Sequence, residues 1–235
     1  MKSLTQKCVD LIRTNRISST EVADALGKNG VEPGLLPINP GIHKAGIIHY
    51  VYAHDESNWP LHEQIRELPD NIFLYVDTFN CKEKAIFGDL VSKYLILYKN
   101  VEGIIVKGRM RDIPDIEKYH FPIWCEGNSP LGCYNRKVQP SQEMLEEVEK
   151  RSARLNGGIA ICDDSGCTII DEVNITEDIY KKLEFIELQE DIWSYCINTL
   201  KWDTYDTVCL KKYLDTPEVL PQILREKVQA IPFKH

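Results

Sequence analysis

Gly103-Ile104-Ile105-Val106-Lys107-Gly108-Arg109-Met110-Arg111-Asp112 is the stretch from which both the fold and the chemistry of this chain are read. Ile104 to Val106 is short, apolar and β-branched, as expected of a buried strand. It runs into Gly108, a residue free to take backbone angles that others resist. Three residues further on, Arg111 and then Asp112 place a cation beside an anion at the strand's end. Such a pair suits a site where a carboxylate holds a metal and a guanidinium clamps an anionic ligand. A solvated structural ion pair is the competing reading, because ion pairs also gather at sites with no chemistry.

Working outward, the same alternation of strand and helix recurs. Upstream, Ile72–Asp77 reads as a second buried strand and Ile47–Tyr52 as a third, with a helix from Trp59 to Leu68 between them. Ser18-Ser19-Thr20-Glu21 has the Ser-x-x-Glu form of a capping box, so a helix is expected near Thr20–Leu26, ended by Gly27. Gly88 opens a helix to about Tyr98 that feeds the decapeptide. Downstream come a short helix to about Tyr119, a strand at Pro122–Cys125 and a charged helix over 141–155. Asp163-Asp164-Ser165-Gly166 between Ile159–Cys162 and Cys167–Ile170 is a strong hairpin signal. Beyond it the pattern is helical, with Ile179, Leu183, Ile186, Trp193, Ile197 and Leu200 forming one apolar stripe. The layout is α/β with a mixed sheet and a helical C-terminal extension.

At 235 residues with 43% hydrophobic and 27% charged residues, the chain has the composition of a globular protein. A net charge of -8 and the lack of a Lys/Arg cluster argue against nucleic acid as the main ligand. No apolar run approaches the roughly 20 residues a membrane span needs, and the start Met1 to Lys7 is polar, not a signal core. The expectation is a cytoplasmic protein without a membrane partner. Eight cysteines form no Cys-x-x-Cys pair, and are expected to be reduced thiols, several of them buried. His43, His49, His54 and His62 fall within twenty residues, but strand alternation would scatter them over two faces.

Phe87-Gly88-Asp89-Leu90 is the second informative stretch. Gly88 falls where a loop becomes a helix, and free N–H groups at a helix start bind carboxylate or phosphate. Asp89 either serves the chemistry or simply complements the helix dipole. A helix followed by a strand returns the chain to one edge of a sheet, so Gly88-Asp89 is expected beside Arg111-Asp112. Those groups suit cleavage of a carbon–carbon bond in a small 2-oxo acid. Asp112 would bind Mg²⁺ or Mn²⁺, Arg111 would hold a substrate oxygen, and Asp89 would position the water that moves a proton.

At this level the chain resembles the RraA-like family, which includes 4-hydroxy-4-methyl-2-oxoglutarate/4-carboxy-4-hydroxy-2-oxoadipate aldolases and the RNase E inhibitor that gave the family its name. Ser19 to Gly27 is similar to the family's N-terminal helix. Gly88-Asp89-Leu90, Gly103 to Asp112, Pro122 to Pro130 and Asp163 to Gly166 follow in the family's order, so that the resemblance covers roughly residues 15–200. It implies a swivelling β/β/α domain over 1–200, a helical extension over 201–235, and assembly as a homotrimer or a dimer of trimers. It also implies that Arg111 and Asp112 bind substrate and divalent metal, with Gly88, Asp89 and Leu90 facing them. The inhibitor branch lacks this complete set, which favours an enzyme.

Three departures bear on the substrate. Lys107 stands where the family usually has Asp, and Arg109 adds another cation, both expected to alter the anion accepted. The span from Asp89 to Arg111 is one residue longer. The aldolases also bring an acidic residue from a neighbour's C-terminal region, for which Glu187 and Glu190 are candidates. The reading is a divalent-metal-dependent lyase for retro-aldol cleavage or oxaloacetate decarboxylation. The alternatives are a non-catalytic regulatory protein of the same fold and a member diverged to another anionic substrate.

Overall fold

The computed structural model describes residues 2–230. Two helices open the chain, α1 (Leu4–Asn15) and α2 (Ser19–Ala25). The capping box forms as expected. The Ser18 hydroxyl accepts from Glu21 N–H, and the Glu21 carboxylate accepts from Ser18 N–H at 2.7 Å. Two-residue strands β1 (Val31–Glu32) and β2 (Leu36–Pro37) precede the long β3 (Lys44–His54). Then come α3 (Trp59–Gln64), β4 (Phe73–Phe79), β5 (Ala85–Phe87), α4 (Asp89–Lys93), β6 (Gly103–Met110), α5 (Ile113–Lys118) and β7 (Ile123–Asn128). The last group is α6 (Gln142–Leu155), the hairpin β8 (Ile159–Asp163) and β9 (Gly166–Ile170), α7 (Glu177–Asn198) and α8 (Gln222–Ala230).

The strands run β1-β9-β8-β3-β4-β6-β7-β2, with β5 beside the end of β6. β3 belongs to two halves of this mixed sheet. Its first residues, Lys44–Ile47, pair antiparallel with β8, and Ile48–His54 pair parallel with β4. Side-chain alternation then sorts the core into layers. Leu74, Val76, Ile104 and Val106 face a layer with Leu61, Leu95 and Ile116 from the helical segments. Phe73, Tyr75, Ile105 and Trp124 point the other way, onto Ala160, Cys162 and Ile169 of the hairpin. The far side of the hairpin, Ile159 and Ile161, is covered by Cys8, Ile12, Val22 and Leu183 of α1, α2 and α7. Sheet on sheet with helices outside is the expected β/β/α domain. A separate cluster of Leu188, Ile192, Cys196, Tyr213 and Leu220 ties the C-terminal segments to the second half of α7. Residue 1 and the last part of the expected extension, 231–235, lie outside the described residues.

Several boundaries differ from expectation for identifiable reasons. α3 stops at Gln64, short of the expected Leu68, and Leu68 itself is disfavoured in helical backbone because it precedes Pro69. The helix after Gly88 continues as a π-helical turn, Tyr94–Tyr98. On α7 the most buried positions move to Ile192 and Cys196, with Trp193 and Ile197 only partly covered, because the helix changes partners from one core to the next. Gly108 sits in strand geometry without a positive φ. Its lack of a side chain matters for space, since a Cβ there would lie 2.9 Å from Thr78 Cγ2.

The interior layer ends in a charged group that the sequence did not announce. Asp77, 1% exposed, accepts from Tyr50 Oη at 3.0 Å, and Arg151 Nη1 donates to both its oxygens at 3.1 and 3.0 Å. Burial pushes the Asp77 carboxyl above its ordinary value, outweighing the pull of Arg151 and of its hydrogen bonds. The folded chain therefore holds this proton more tightly than the unfolded chain. Asp77's contribution to stability is fully present below the unfolded value of 3.8 and is lost as pH rises through the folded one. An Asp77→Asn variant should therefore gain on the parent as pH rises from about 4 towards neutrality, read by urea unfolding at each pH. A gap that shrinks with pH would contradict this account.

Candidate functional site

The decapeptide strand and β5 run side by side, with Ala85 opposite Arg109 and Phe87 opposite Met110. The pairing continues one step past the end of β6, where Arg111 N–H donates to Phe87 O, in the last residue of β5, at 3.1 Å. That register sets Gly88 against Arg111 and Asp112. A Cβ on residue 88 would lie 2.0 Å from Asp112 Oδ2, 2.8 Å from its Cγ and 3.0 Å from Arg111 Cγ. Only glycine leaves the carboxylate in this place. Asp112 itself is left-handed, φ 58°, and its carbonyl accepts from Asp115 and Ile116 at the start of α5. The turn thus aims the carboxylate back at Gly88 while the backbone enters the next helix.

Arg111 extends along this wall, its Nε 3.5 Å from Asp112 Oδ2. Its guanidinium lies against Gly132, where a Cβ would be 2.5 Å from Nη1. The loop bearing Gly132 is stitched beside β5, with Ala85 N–H donating to Leu131 O at 2.7 Å and Cys133 N–H to Ala85 O at 2.9 Å. Gly132 was not foreseen, since a glycine between two loop residues carries no sign of the cation it accommodates. Both charged side chains remain open to solvent, Arg111 48% and Asp112 41% exposed.

The structure therefore brings together Gly88, Arg111 and Asp112. Asp89 acquires a partner of its own, with Lys93 Nζ 2.6 Å from its Oδ2 and lying over the Tyr119 ring. Leu90 points outward, 77% exposed. The two cations expected to perturb the site are engaged elsewhere. Lys107 pairs with Glu126 at 2.8 Å and donates to Pro33 O at 2.9 Å, on the interior face that also carries Tyr75 and Asp77. Arg109 pairs with Glu83 at 2.5 Å. Within the chain, Glu187 accepts from Asn15 Nδ2 at 2.8 Å. Burial, with Glu21 and Asp24 nearby, raises the Glu190 pKa.

The histidines do not converge. His43 Nε2 meets Ile17 O at 2.8 Å, and His54 Nδ1 meets Asp55 Oδ2 at 2.9 Å. Among the described residues no three or more His, Cys, Asp or Glu side chains gather closely enough to hold a metal by themselves. No helix there is long and apolar enough to cross a membrane. A cleft of about 800 Å³ lies between α2, α7 and β9, but neither Arg111 nor Asp112 lines it.

Comparison with known proteins bears on the family and the fold. The family model for RraA-like proteins, described as Aldolase/RraA, matches residues 19–169. Protein DlpA of Legionella pneumophila is 26% identical over 188 residues, covering 74% of this chain and 29% of that protein. The chain thus spans less than a third of the length of this curated relative. Two crystal structures share the fold. An uncharacterized protein from Pseudomonas syringae superposes with a TM-score of 0.62 at 18% identity, over 83% of this chain and 93% of that one. Streptomyces coelicolor RraAS2, described as an unusual member of the RNase ES inhibitor RraA protein family, gives 0.60 at 20% identity, over 79% and 96%.

A methyl group at position 88 should displace the Asp112 carboxylate rather than unfold the chain, because the nearest atom it meets is the free end of a side chain. Gly88→Ala is expected to cost about 1 kcal/mol in urea unfolding, the low end of the usual cost of overpacking. A loss well above about 3 kcal/mol would refute the view that the Asp112 side chain gives way.

Proposed function

The chain belongs to the RraA-like family, and from that premise we propose that it is a divalent-metal-dependent lyase that cleaves a carbon–carbon bond of a small 2-oxo acid. The family includes both aldolases and RNase E inhibitors. The observation that carries the enzymatic reading is the contact of Gly88 with Asp112 and Arg111, in which a missing Cβ makes room for a half-exposed carboxylate beside a guanidinium.

The donor set fits Mg²⁺ or Mn²⁺. Mg²⁺ keeps several waters and takes only one or two carboxylates from a protein, so Asp112 alone satisfies its demand for a hard oxygen ligand. Among the described residues Asp112 has only Arg111 Nε as an ion-pair partner, at 3.5 Å, which leaves its carboxylate oxygens able to accept a further cation. When bound, such a cation supplies Lewis-acid stabilisation of charge on the substrate's oxygens. Arg111 would hold the substrate carboxylate or 2-oxo oxygen by charge-assisted hydrogen bonds. As the carbon–carbon bond breaks, negative charge grows on the 2-oxo oxygen, and a guanidinium already in place stabilises it without reorganising. Asp89, one residue after Gly88, would position the water that returns a proton to the product carbon.

Retro-aldol cleavage and oxaloacetate decarboxylation share the pyruvate enolate, so one site serves both. Subunits would assemble as a homotrimer or a dimer of trimers. The exposed apolar side chains Leu90, Tyr94, Leu97 and Tyr98, on the segment that begins at the site, support such packing. Lys107 and Arg109 are held by Glu126 and Glu83, whereas Arg111 stands beside Asp112 and is the cation offered to the substrate.

Pyruvate release from oxaloacetate and from 4-hydroxy-4-methyl-2-oxoglutarate tests the reading. Turnover is expected with Mg²⁺ and should vanish with chelator. Asp112→Ala should abolish it, and Arg111→Ala should lower it by about 100- to 1,000-fold, the usual cost of removing a group that meets developing oxyanion charge. A folded chain that turns over neither acid, or that is indifferent to chelator, would overturn the proposal.

A further inference from the structure

Two clefts meet at the start of β6, the end of that strand remote from Arg111. Glu102, the residue before β6, and Lys44, the first residue of β3, line both of them. At the usual rise of about 3.3 Å per residue, the length of β6 sets this place roughly 25 Å from the Arg111–Asp112 pair.

The smaller cleft, of about 250 Å³, is lined by Arg13, Arg16, His43, Lys44, Ala45 and Glu102. Its cations are scattered in the sequence and gathered only where α1 packs on β3. Arg13 is fixed, its Nε donating to Ala45 O at 2.8 Å and its guanidinium paired with Glu102. Glu102 is itself seated against Gly46, where a Cβ would lie 3.1 Å from its Oε2. His43 Nε2 donates to Ile17 O at 2.8 Å, since a carbonyl only accepts, and Nδ1 is left as its second polar atom. Arg16 and Lys44 are exposed, and among the described residues neither forms an ion pair. Three cations against one carboxylate leave two positive charges in excess, in a chain whose net charge is -8. The C-terminal end of a helix attracts cations by itself, which accounts for Arg13 and Arg16 at the end of α1. Lys44 and His43 come from another element and are not explained by that dipole. The larger cleft, of about 460 Å³, has an apolar wall of Ile42, Ile96, Val101 and Pro122.

We propose that the two clefts together bind a phosphate monoester with an apolar organic part. The phosphoryl group lies among Arg13, Arg16 and Lys44, and the apolar part lies along Ile42, Ile96 and Val101. A phosphate monoester carries about -1.5 to -2 charges at neutral pH and three acceptor oxygens, which matches the excess of the smaller cleft. A carboxylate brings a single charge and leaves one cation uncompensated. Arginine forks and a lysine point charge are both common donors to phosphate oxygens. The apolar wall adds affinity in proportion to the area it removes from water. No residue of this site belongs to the Gly88, Arg111 and Asp112 group, so the inference stands whether or not that group is a lyase.

The test is isothermal titration calorimetry of the full chain with hexyl phosphate, inorganic phosphate and heptanoate. Hexyl phosphate is expected to bind more tightly than either of the others by about tenfold or more, and to weaken as sodium chloride is raised. Lys44→Gln and Arg16→Gln should each weaken it by about tenfold or more, the usual loss with one charge-assisted hydrogen bond. Arg111→Gln should leave its affinity unchanged. If a variant fails to fold, amide shifts in the isotope-labelled parent decide, and those of Arg16, Lys44 and Val101 should move with hexyl phosphate. No binding of hexyl phosphate at millimolar concentration, or equal affinity for heptanoate or inorganic phosphate, would overturn the proposal. So would affinity that is lost in Arg111→Gln and kept in Lys44→Gln, or amide shifts confined to other residues.

Discussion

The absence of a single methyl group holds the candidate site together. β5 and β6 lie in parallel register, and the backbone bond from Arg111 to Phe87 carries that register one residue beyond β6. This would drive residue 88 into the Asp112 carboxylate if it had a side chain. Glycine there converts a collision into a cradle. The cost of glycine in chain entropy, typically about 0.5–1 kcal/mol within a regular element, is small beside what a displaced carboxylate would mean for a site built on it.

Everything behind that contact serves to keep two strand ends level. β6 is flanked by β4 and β7 and buried on both faces, so it cannot slip without moving its apolar residues out of two cores at once. β3 joins the parallel half of the sheet to the β8–β9 hairpin, and two side chains fasten the hairpin to α2, Asp163 and Thr168, whose Oγ1 donates to Ser19 O at 2.8 Å. Asp163 accepts from Ser19 N–H at 2.6 Å and from Ser19 Oγ at 2.8 Å, and also from Ser165 N–H inside the turn. The same residue that shapes the hairpin thus docks the N-terminal helix. The interior layer between the sheet halves closes on the Asp77–Arg151 pair, a polar end to an otherwise apolar core.

Features governed by neighbours in sequence are legible in the sequence itself. The capping box at Ser18, the hairpin at Asp163–Gly166, the buried run Ile104–Val106 and the nearness of Gly88 to Arg111 all follow from local chemistry or simple sheet topology. Features set by distant partners are not. The two-residue strands β1 and β2 exist only because β9 and β7 offer edges to pair with. Asp77 looked like the end of a strand, and its partner lies 74 residues away. Lys107 and Arg109 illustrate the same limit. Their charges were plain in the sequence, but Glu126 and Glu83, which take up those charges, could be assigned only from the structure.

The central claim is that Asp112, seated on Gly88, holds a divalent cation beside an anion on Arg111. The most direct measurement is a crystal of the chain grown with Mn²⁺ and oxalate, a stable mimic of the pyruvate enolate, with anomalous scattering recorded for manganese. The account predicts an anomalous peak in coordination contact with the Asp112 carboxylate and oxalate oxygens on the Arg111 guanidinium. Manganese bound elsewhere, or oxalate absent from Arg111 in a well-ordered crystal, would contradict it.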